Sequence, residues 1–381
     1  MVKKIFASIM IIFFCVSCAS EADKTGMNLI LESNTPLHDP PNDYCPQDSE
    51  RWFTIPEGLD AGKKMFFSDH TVGEKEPNAT VVFVHGNPET SYTYRHIRDA
   101  LIASGEPIRL IAMDHIGFGL SDQATFEMVD MHHSTNLLQL IRHLDLTEVT
   151  LVVHDWGGPI GIGAFIQEPD RIRNLLVMNT TIFPMPSDGI TYTNYPITWF
   201  SWSITPKIVP NMFWGGIAGY VVSHASPQGT FTFLTNASKY MFLHAARLIP
   251  PGSPEYVWAE SLRTANNAKS SKRQVLQTPY WGHGYQYVDA THGEQDNSAY
   301  YLNMQKEVPA VWGPEGRNIK VCGYFGQWDA CGKDSVVKQW QTALPQMIDF
   351  TYTFPDIGHF IEEYKGEDMA TSILKMNSLK N

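Results

Sequence analysis

The sequence predicts an α/β domain in which a mostly parallel central sheet is flanked by helices and carries an inserted, mainly helical cap. Short apolar runs alternate with helical patterns, which is typical of parallel sheets whose strands are buried on both faces. The segment Ser134–Leu144 has apolar residues at helical spacing and leads directly into one of these runs, as in a β-α-β unit. The predicted strands are Thr80–Val84, Arg109–Met113, Val149–Val153, Asn174–Met178, Ile319–Tyr324 and Asp349–Phe354.

The regular alternation stops in residues 181–318, where Pro, Trp, Phe and Tyr are dense and strand patterns are weak. We interpret this stretch as the cap and its return to the sheet, placed between a first core part, 51–180, and a last core part, 319–381. The predicted cap helices are Pro206–Met212, Thr230–Phe242 and Pro254–Ala268. Aromatic residues of the cap are expected to form an apolar cavity or the cap's own core: Trp199, Phe200, Trp202, Phe213 and Trp214.

Residues 1–18 are predicted to be a signal peptide, because Lys3 and Lys4 precede an apolar stretch that is too short to cross a bilayer. The peptide ends in Val-Ser-Cys-Ala, which resembles a bacterial lipobox, so we expect Cys18 to be lipidated. Residues 19–50 would then be a tether and N-terminal extension. The protein would be exported to the periplasm or outer membrane as a lipoprotein, with membrane contact through the lipid anchor. Plain export with cleavage is the alternative.

Composition bounds the class of protein. The chain has 381 residues, of which 43% are hydrophobic and 18% charged, as in a globular domain. Its formal net charge of −12, without a basic cluster, disfavours nucleic acid as a partner. Three cysteines lie outside the export segment, Cys45, Cys322 and Cys331. Either one disulfide involving Cys331 or three buried thiols would fit the sequence.

The strand at Val149–Val153 runs into His154-Asp155-Trp156-Gly157-Gly158, the strand-to-turn pattern of a nucleophile elbow with Asp in place of the usual Ser. A Ser that attacked a saturated carbon would leave an ether, which water does not readily cleave. An Asp leaves an ester that a second step can hydrolyse, and its carboxyl group is ionised at neutral pH because the reference pKa is about 3.9. Asp155 is therefore the predicted nucleophile of an alkyl substitution.

Two further residues complete a predicted triad. His359 follows the last predicted strand, where a catalytic His is expected, and Asp329 follows the strand before it. Asn179 stands at the other position used for the acid, but an amide does not stabilise an imidazolium as a carboxylate does. Asp334 is a poorer candidate. The order Asp155, Asp329, His359 is the nucleophile–acid–base order of the α/β-hydrolase fold.

The loop His85-Gly86-Asn87-Pro88 follows the first parallel strand and is the predicted oxyanion loop. The backbone N–H groups of Asn87 and Trp156 would bind the oxyanion of the ester's hydrolysis. Their side chains, an amide and an indole N–H, could hold a departing halide, each at about 1.5–3 kcal/mol. The alternative makes Trp156 a packing residue and Asn87 a turn former.

These residues resemble the haloalkane dehalogenase family of the α/β-hydrolase fold, from about residue 51 to the C-terminus. The motifs that carry the resemblance are His85-Gly86-Asn87-Pro88 with Ser91-Tyr92 and Arg95, Asp114-His115-Ile116-Gly117-Phe118-Gly119-Leu120-Ser121-Asp122, and Val153-His154-Asp155-Trp156-Gly157-Gly158-Pro159. The resemblance implies a hydrolase that cleaves carbon–halogen bonds through an alkyl ester on Asp155, with no metal or organic cofactor. The partners would be a small apolar substrate and water. The segment 114–122 is expected to be structural. Glu89-Thr90, the long cap and the lipoprotein signal depart from the family pattern.

Three other functions remain open at this point. Epoxide hydrolases use the same triad but protonate the ring oxygen with Tyr hydroxyls from the cap, and Asn87 replaces the aromatic residue usual in their oxyanion loop. Enzymes that resemble β-lactone decarboxylases share the Asp, His, Asn and Trp. A surface lipoprotein that binds a ligand without catalysis is the non-enzymatic alternative. The Tyr candidates for an epoxide hydrolase are Tyr192, Tyr195, Tyr220 and Tyr240.

Overall fold

The computed structural model describes residues 33–224 and 229–378. The predicted signal peptide, its Cys18 and residues 19–32 of the predicted tether lie outside these residues. No helix in the described ranges is both long enough and apolar enough to span a membrane.

An eight-stranded sheet forms the centre of the fold, with the strand order β1-β2-β4-β3-β5-β6-β9-β10, and β7 and β8 form a separate hairpin. The six strands from β4 to β10 in this order run parallel, whereas β2 is antiparallel to both of its neighbours. The predicted fold class is confirmed. The strands are β1 (Glu50–Thr54), β2 (Lys64–Thr71), β3 (Thr80–Val84), β4 (Arg109–Met113), β5 (Val149–His154), β6 (Ile172–Met178), β7 (Gln286–Asp289), β8 (Gly293–Asp296), β9 (Lys320–Gly326) and β10 (Thr351–Phe354).

Helices cover both faces of the sheet. On one face, α1 packs against α11, and on the other, α2 packs against α3, which also contacts α9. Alternate residues of each parallel strand enter one or the other of these cores, as the pleat of a strand requires. The helices are α1 (Arg95–Ser104), α2 (Asp130–His143), α3 (Gly157–Phe165), α4 (Thr205–Ile208), α5 (Asn211–His224), α6 (Thr230–Ala245), α7 (Pro254–Ser261), α8 (Ala265–Leu276), α9 (Ser298–Glu307), α10 (Asp334–Ala343) and α11 (Glu362–Ser378).

The segment 114–122 ties distant parts of the core together, in agreement with the expected structural role. The buried carboxylate of Asp114 accepts hydrogen bonds from the Tyr44 hydroxyl at 2.6 Å, the Ser91 N–H at 2.7 Å and the Leu120 N–H at 2.8 Å. These bonds compensate for the loss of hydration of a buried carboxylate. The thiols of Cys45, Cys322 and Cys331 are buried and free, so the alternative with a disulfide is wrong.

Two of the predicted cap helices are wrong in their extent. Instead of one helix over Pro206–Met212, α4 ends at Ile208 and α5 begins at Asn211, because Val209 precedes a proline and takes extended dihedral angles. Instead of one helix over Pro254–Ala268, α7 ends at Ser261, and Thr264 caps α8 by accepting a hydrogen bond from the Asn267 N–H.

Helix α5 has no counterpart among the predicted helices, because its three glycines weaken the helical pattern. In the fold these glycines allow close packing against α6 and α7. A Cβ atom at Gly216 would lie 2.5 Å from the Tyr240 carbonyl oxygen and 2.6 Å from the Met241 Cα, and a Cβ at Gly219 would lie 2.8 Å from the Glu255 carbonyl oxygen. The cap is therefore held together by backbone-to-backbone contact along α5.

We predict that Gly216→Ala lowers the free energy of unfolding by about 1–3 kcal/mol, the usual range for an overpacked core. The backbone of α6 must move to admit the methyl group, whereas at an exposed helical site the same change would stabilise the helix. Denaturant unfolding monitored by circular dichroism measures the change. Gly229→Ala is the matched control, because a Cβ atom there meets nothing within 4 Å. A Gly216→Ala protein as stable as the wild type would contradict the packing described for α5.

Candidate functional site

The carboxylate of Asp155 lies in a sharp turn between β5 and α3. The φ angle of Asp155 is 50°, in the left-handed region that non-glycine residues rarely adopt. The turn packs tightly against β3, since a Cβ atom at Gly157 would lie 1.9 Å from the Val84 carbonyl oxygen. The Thr180 hydroxyl donates a hydrogen bond to the Asp155 carbonyl oxygen and holds the turn from β6. This is the geometry of the predicted nucleophile elbow.

The structure brings the three predicted triad residues together. The Nε2 atom of His359 lies 3.1 Å from Asp155 Oδ2, and its Nδ1 atom lies 3.0 Å from Asp329 Oδ2. All three side chains are buried. The imidazole can therefore exchange a proton on the side of Asp155 while Asp329 fixes its orientation from the other side.

The charge of His359 depends on these two carboxylates. Burial lowers its pKa, but Asp329 and Asp155 outweigh burial, so that the pKa lies well above the usual value of 6.5. The resting site therefore holds an imidazolium between two carboxylates. Neutralising Asp155 would remove one of the two charges that keep the proton on His359.

Asp329 is fixed by its own contacts. Its Oδ2 atom accepts a hydrogen bond of 3.0 Å from the Cys331 N–H, and the Tyr192 hydroxyl lies 3.4 Å from its Oδ1 atom. Asn179 does not contact the imidazole ring. Its side-chain amide donates to the backbone carbonyl oxygens of Gly358 and His359, at 3.0 Å each, and so holds the loop that carries the triad His. Asp334 lies outside the site, exposed at the start of α10.

Asn87 contacts Asp155 through its backbone, because its N–H donates to Asp155 Oδ1 at 2.7 Å. The orientation of its side chain is fixed by a chain of donors. The Trp214 indole N–H donates to the Ser271 hydroxyl at 2.9 Å, and this hydroxyl donates its own hydrogen to Asn87 Oδ1. One N–H of the amide then donates to the Ser271 carbonyl oxygen at 3.3 Å, which leaves the second N–H for an anion.

The side chain of Trp156 does not occupy the position that halide binding by its indole N–H requires. Its ring stacks on Trp281 with 3.7 Å between centroids, and Tyr192 also stacks on Trp281, with 5.6 Å between centroids. The Trp281 indole N–H donates to the Thr181 carbonyl oxygen at 2.6 Å and fixes this stack. The side chain of Trp156 is 1% exposed and does not line the cavity next to Asp155. The packing role considered for Trp156 is thus present in the fold.

A cavity of about 20 Å³ borders the carboxylate of Asp155, which is room for about one water molecule. A second cavity of about 10 Å³ shares Tyr195, Trp202 and Val221 with it and reaches Tyr220 and Phe233. Tyr240 lines neither cavity, and its hydroxyl contacts His224 at 2.9 Å and Glu255 at 3.3 Å. The first cavity is lined by Asn87, Pro88, Asp155, Tyr192, Tyr195, Trp202, Val221, Thr278, His359 and Phe360.

A second group of buried charges, which the sequence did not reveal as a group, lies directly behind the triad. The Nδ1 atom of His154 lies 2.6 Å from Glu89 Oε1 and 3.6 Å from Glu362 Oε1. Its Nε2 atom lies 2.8 Å from the His359 carbonyl oxygen. Glu89 also accepts a hydrogen bond from the Gly86 N–H at 3.0 Å, so this cluster supports the oxyanion loop. The only local signals were that His154 directly precedes Asp155 and that Glu362 follows His359 by three residues.

The cluster shifts the pKa values of its members. Burial lowers the pKa of His154, but Glu362 and Glu89 outweigh burial and raise it to about 9. Burial raises the pKa of Glu362 to about 7. Glu89, His154 and His359 are close enough together to be considered as metal ligands. However, each ring nitrogen of the two histidines already faces a protein oxygen atom, so the cluster is better explained as a hydrogen-bonded ion group.

We predict that the free energy of unfolding of Glu362→Gln, relative to that of the wild type, increases between pH 5 and pH 9. Buried histidines with lowered pKa values, such as His115, affect both proteins alike, so the difference between the two proteins reports the cluster. Glu362 has a raised pKa in the folded state, so its contribution to stability is lost as the pH rises from its ordinary value of 4.5 to about 7. The contribution of His154 is lost between pH 6.5 and about 9. Gln at 362 removes the first contribution and shrinks the second. Denaturant unfolding at pH 5, 7 and 9 measures both.

Glu367→Gln is the control for this experiment, because Glu367 lies on the same helix but is exposed. It should leave the slope of stability against pH unchanged. Equal slopes in the wild type and in Glu362→Gln would mean that the cluster does not titrate in this range.

A model of the alpha/beta hydrolase fold family matches residues 79–364. The chain is 39% identical over 129 residues to a cis-3-alkyl-4-alkyloxetan-2-one decarboxylase of Shewanella oneidensis, which covers 33% of this chain and 38% of that protein. It is 33% identical over 151 residues to haloalkane dehalogenase 1 of Mycobacterium tuberculosis, which covers 39% of this chain and 48% of that protein. The aligned segments span less than half the length of these relatives.

Solved structures agree with the fold. The haloalkane dehalogenase DpaA of Paraglaciecola agarilytica matches with a TM-score of 0.61 at 22% identity, over 89% of this chain and 97% of that one. A bromoperoxidase of Bacillus anthracis matches with a TM-score of 0.57 at 17% identity, over 87% and 100%. At such identities the likeness shows the fold, whereas the family model covers most of the sequence. The chain therefore belongs to the alpha/beta hydrolase fold family.

Proposed function

We propose that this chain is a haloalkane dehalogenase that cleaves carbon–halogen bonds through a covalent alkyl ester on Asp155. The observation that carries the proposal is the position of the Asp155 carboxylate. One oxygen accepts the Asn87 N–H, the other faces His359, and the group borders a cavity whose walls are largely aromatic and aliphatic. A carboxylate in such surroundings is suited to attack on saturated carbon.

In the first step Asp155 Oδ2, which lies 3.1 Å from His359 Nε2, attacks the carbon that carries the halogen, while Oδ1 keeps its hydrogen bond with the Asn87 N–H. A carbon–oxygen bond forms, the carbon–halogen bond breaks, and its electron pair leaves with the halide. The free N–H of the Asn87 amide, oriented by Ser271, is the donor that stabilises the departing anion.

The second step follows from the charges. Once Asp155 is an ester it carries no charge, so the pKa of His359 falls and the imidazole can release its proton to bulk water. Neutral His359 then removes a proton from a water molecule, which attacks the ester carbonyl carbon. The Asn87 N–H stabilises the oxyanion on Oδ1. Collapse breaks the bond between the carbonyl carbon and the alkyl-bearing oxygen, which takes the proton of His359 and leaves as the alcohol. The new carboxyl group of Asp155 then gives its proton to His359, which restores the carboxylate and the imidazolium. Asp329 stabilises the imidazolium throughout.

Decarboxylation of a β-lactone is the second candidate. One observation favours it: a curated relative that is 39% identical over 129 residues, 38% of its own length, is a decarboxylase of this kind. Opening of the four-membered ring at Asp155 would lead to carbon dioxide and an alkene. Epoxide hydrolysis remains a third outcome of the test, because Tyr192 and Tyr195 line the cavity.

We predict that His359→Gln traps the covalent intermediate. The first step needs the carboxylate alone, whereas the second needs a base, so the ester should accumulate. After exposure to 1-bromobutane, mass spectrometry should find the peptide that contains Asp155 heavier by one butyl group. The doubly substituted His359→Gln, Asp155→Asn protein is the control and should show no adduct.

Parallel exposure of the wild type to styrene oxide and to a cis-β-lactone separates the three reactions. Halide release identifies the dehalogenase, a diol product the epoxide hydrolase, and carbon dioxide the decarboxylase. A protein that forms no adduct and no product with any of the three substrates would refute the proposal of a covalent mechanism.

We predict that Asp329→Asn lowers kcat by about 10³–10⁴-fold, as expected when the imidazolium loses its carboxylate partner. The ester should then accumulate as in His359→Gln, because the loss affects its hydrolysis most. Asp334→Asn is the matched control, since Asp334 also follows β9 but is exposed and away from the imidazole. A large loss of activity in Asp334→Asn together with a mild one in Asp329→Asn would reverse the assignment of the acid.

A further inference from the structure

The outer surface of the cap exposes large apolar side chains. Phe231 is 83% exposed, Phe242 63% and Met212 60%. Single exposed apolar residues are ordinary, but a group of them on one element marks a surface for interaction. We call this group the cap apolar face; it comprises Ile204, Ile208, Met212, Phe231, Phe242 and Leu248.

Two of these side chains share one side of α6, and two others lie near the end of α6 that packs against the start of α5. Phe231 and Phe242 are eleven residues apart on α6, which is close to three full turns, so both project from the same side of the helix. The N-terminal part of α5 lies against the C-terminal part of α6, because a Cβ atom at Gly215 would meet the His244 ring at 2.7 Å. Met212, one turn before Gly215, is thereby brought towards the turn that carries Leu248.

Basic residues outnumber acidic ones in the part of the sequence that forms the cap helices. Residues 204–276 contain seven Lys or Arg and two Asp or Glu, although the whole chain has a formal net charge of −12. The two acidic residues, Glu255 and Glu260, contact His224 and Arg263. Three basic residues next to the cap apolar face, Lys207, Lys239 and Arg247, are exposed. Exposed aromatic residues flanked by basic ones are typical of surfaces that lie on anionic membranes.

The N-terminal segment approaches the same end of the fold. The Ser33 hydroxyl and the Asn34 N–H donate to Leu120 and Asp122, in the segment that follows β4 at the carboxyl edge of the sheet. The cap contacts this segment too, since the Ala124 N–H donates to the Asn267 side chain at 2.9 Å. The chain that leads from the predicted lipidation site at Cys18 therefore joins the fold on the side of the cap.

We propose that the cap apolar face docks on the surface of an anionic lipid bilayer, with Phe231 and Phe242 inserted among the lipids and the neighbouring basic residues near the headgroups. The lipid on Cys18, itself a proposal, would hold the protein close to the same surface. The proposal does not depend on the reaction at Asp155, so its test uses no substrate.

Hydrogen exchange of the full chain, measured by mass spectrometry with and without vesicles, tests this docking. With vesicles of phosphatidylglycerol and phosphatidylethanolamine, exchange in residues 204–212 and 230–248 should slow by about tenfold or more. The slowing should be smaller on pure phosphatidylcholine. The triple variant Phe231→Ser, Phe242→Ser, Leu248→Ser should lose it, even though its N-terminus is unchanged.

Ile348→Ser with Phe350→Ser is the matched control, because these residues are 54% and 55% exposed just before β10, at the opposite edge of the sheet. This control should keep the slowing in the cap. Unchanged exchange in the wild-type cap on anionic vesicles, or slowing that persists in the triple variant, overturns the proposal. A wild-type dimer that the triple variant converts to a monomer in the absence of vesicles also overturns it, since the face would then bind a second copy of this chain.

Discussion

The strained turn at Asp155 is the constraint on which the site depends. A residue with a side chain is held at a φ of 50° because the parallel strands on both sides fix the ends of the turn. β3 supplies the carbonyl oxygen against which Gly157 packs, and the segment after β6 supplies the Thr180 hydroxyl. Contacts from the sheet therefore stabilise the strained backbone of the turn. The turn places the carboxylate beyond the strand ends, next to His359.

The two buried histidines link the site to its surroundings electrostatically. The rings of His154 and His359 are 4.7 Å apart, and each faces its own pair of carboxylates. A positive charge on either ring lowers the pKa of the other. A change in the charge of Asp155 therefore affects the protonation of both rings. On the proposed mechanism, esterification of Asp155 withdraws one negative charge and favours loss of the proton from His359. A positive charge on His154, stabilised by Glu89 and Glu362, also favours loss of the proton from His359.

Strands and the site residues that follow them could be predicted from the sequence where the pattern lies within a few neighbouring residues. Five of the six parallel strands could be predicted because each contains a continuous apolar run, whereas β10, although predicted, is short and partly exposed. Asp155, Asp329 and His359 could be predicted because each follows a predicted strand. Strand β1 was missed because it is half exposed and lacks the run. The support of Asn87 by Ser271 joins residues 184 positions apart, and nothing near either residue announces it. Helix α5 was missed for a different reason, since its glycines serve packing with α6 and α7 and not helix formation.

The cap links the size of the cavity to the surface of the protein. Trp202 and Val221, which line the cavity next to Asp155, also line the cavity that reaches Phe233 on α6. Because the first cavity has room for about one water molecule, a haloalkane or lactone requires outward movement of these cap residues. Phe231, on the proposed membrane face, is two residues from Phe233. If α6 rests on lipid, Phe231 contacts the bilayer while Phe233, on the same helix, lines the cavity that shares Trp202 and Val221 with the cavity next to Asp155, so one helix joins the proposed membrane surface to the surroundings of the site.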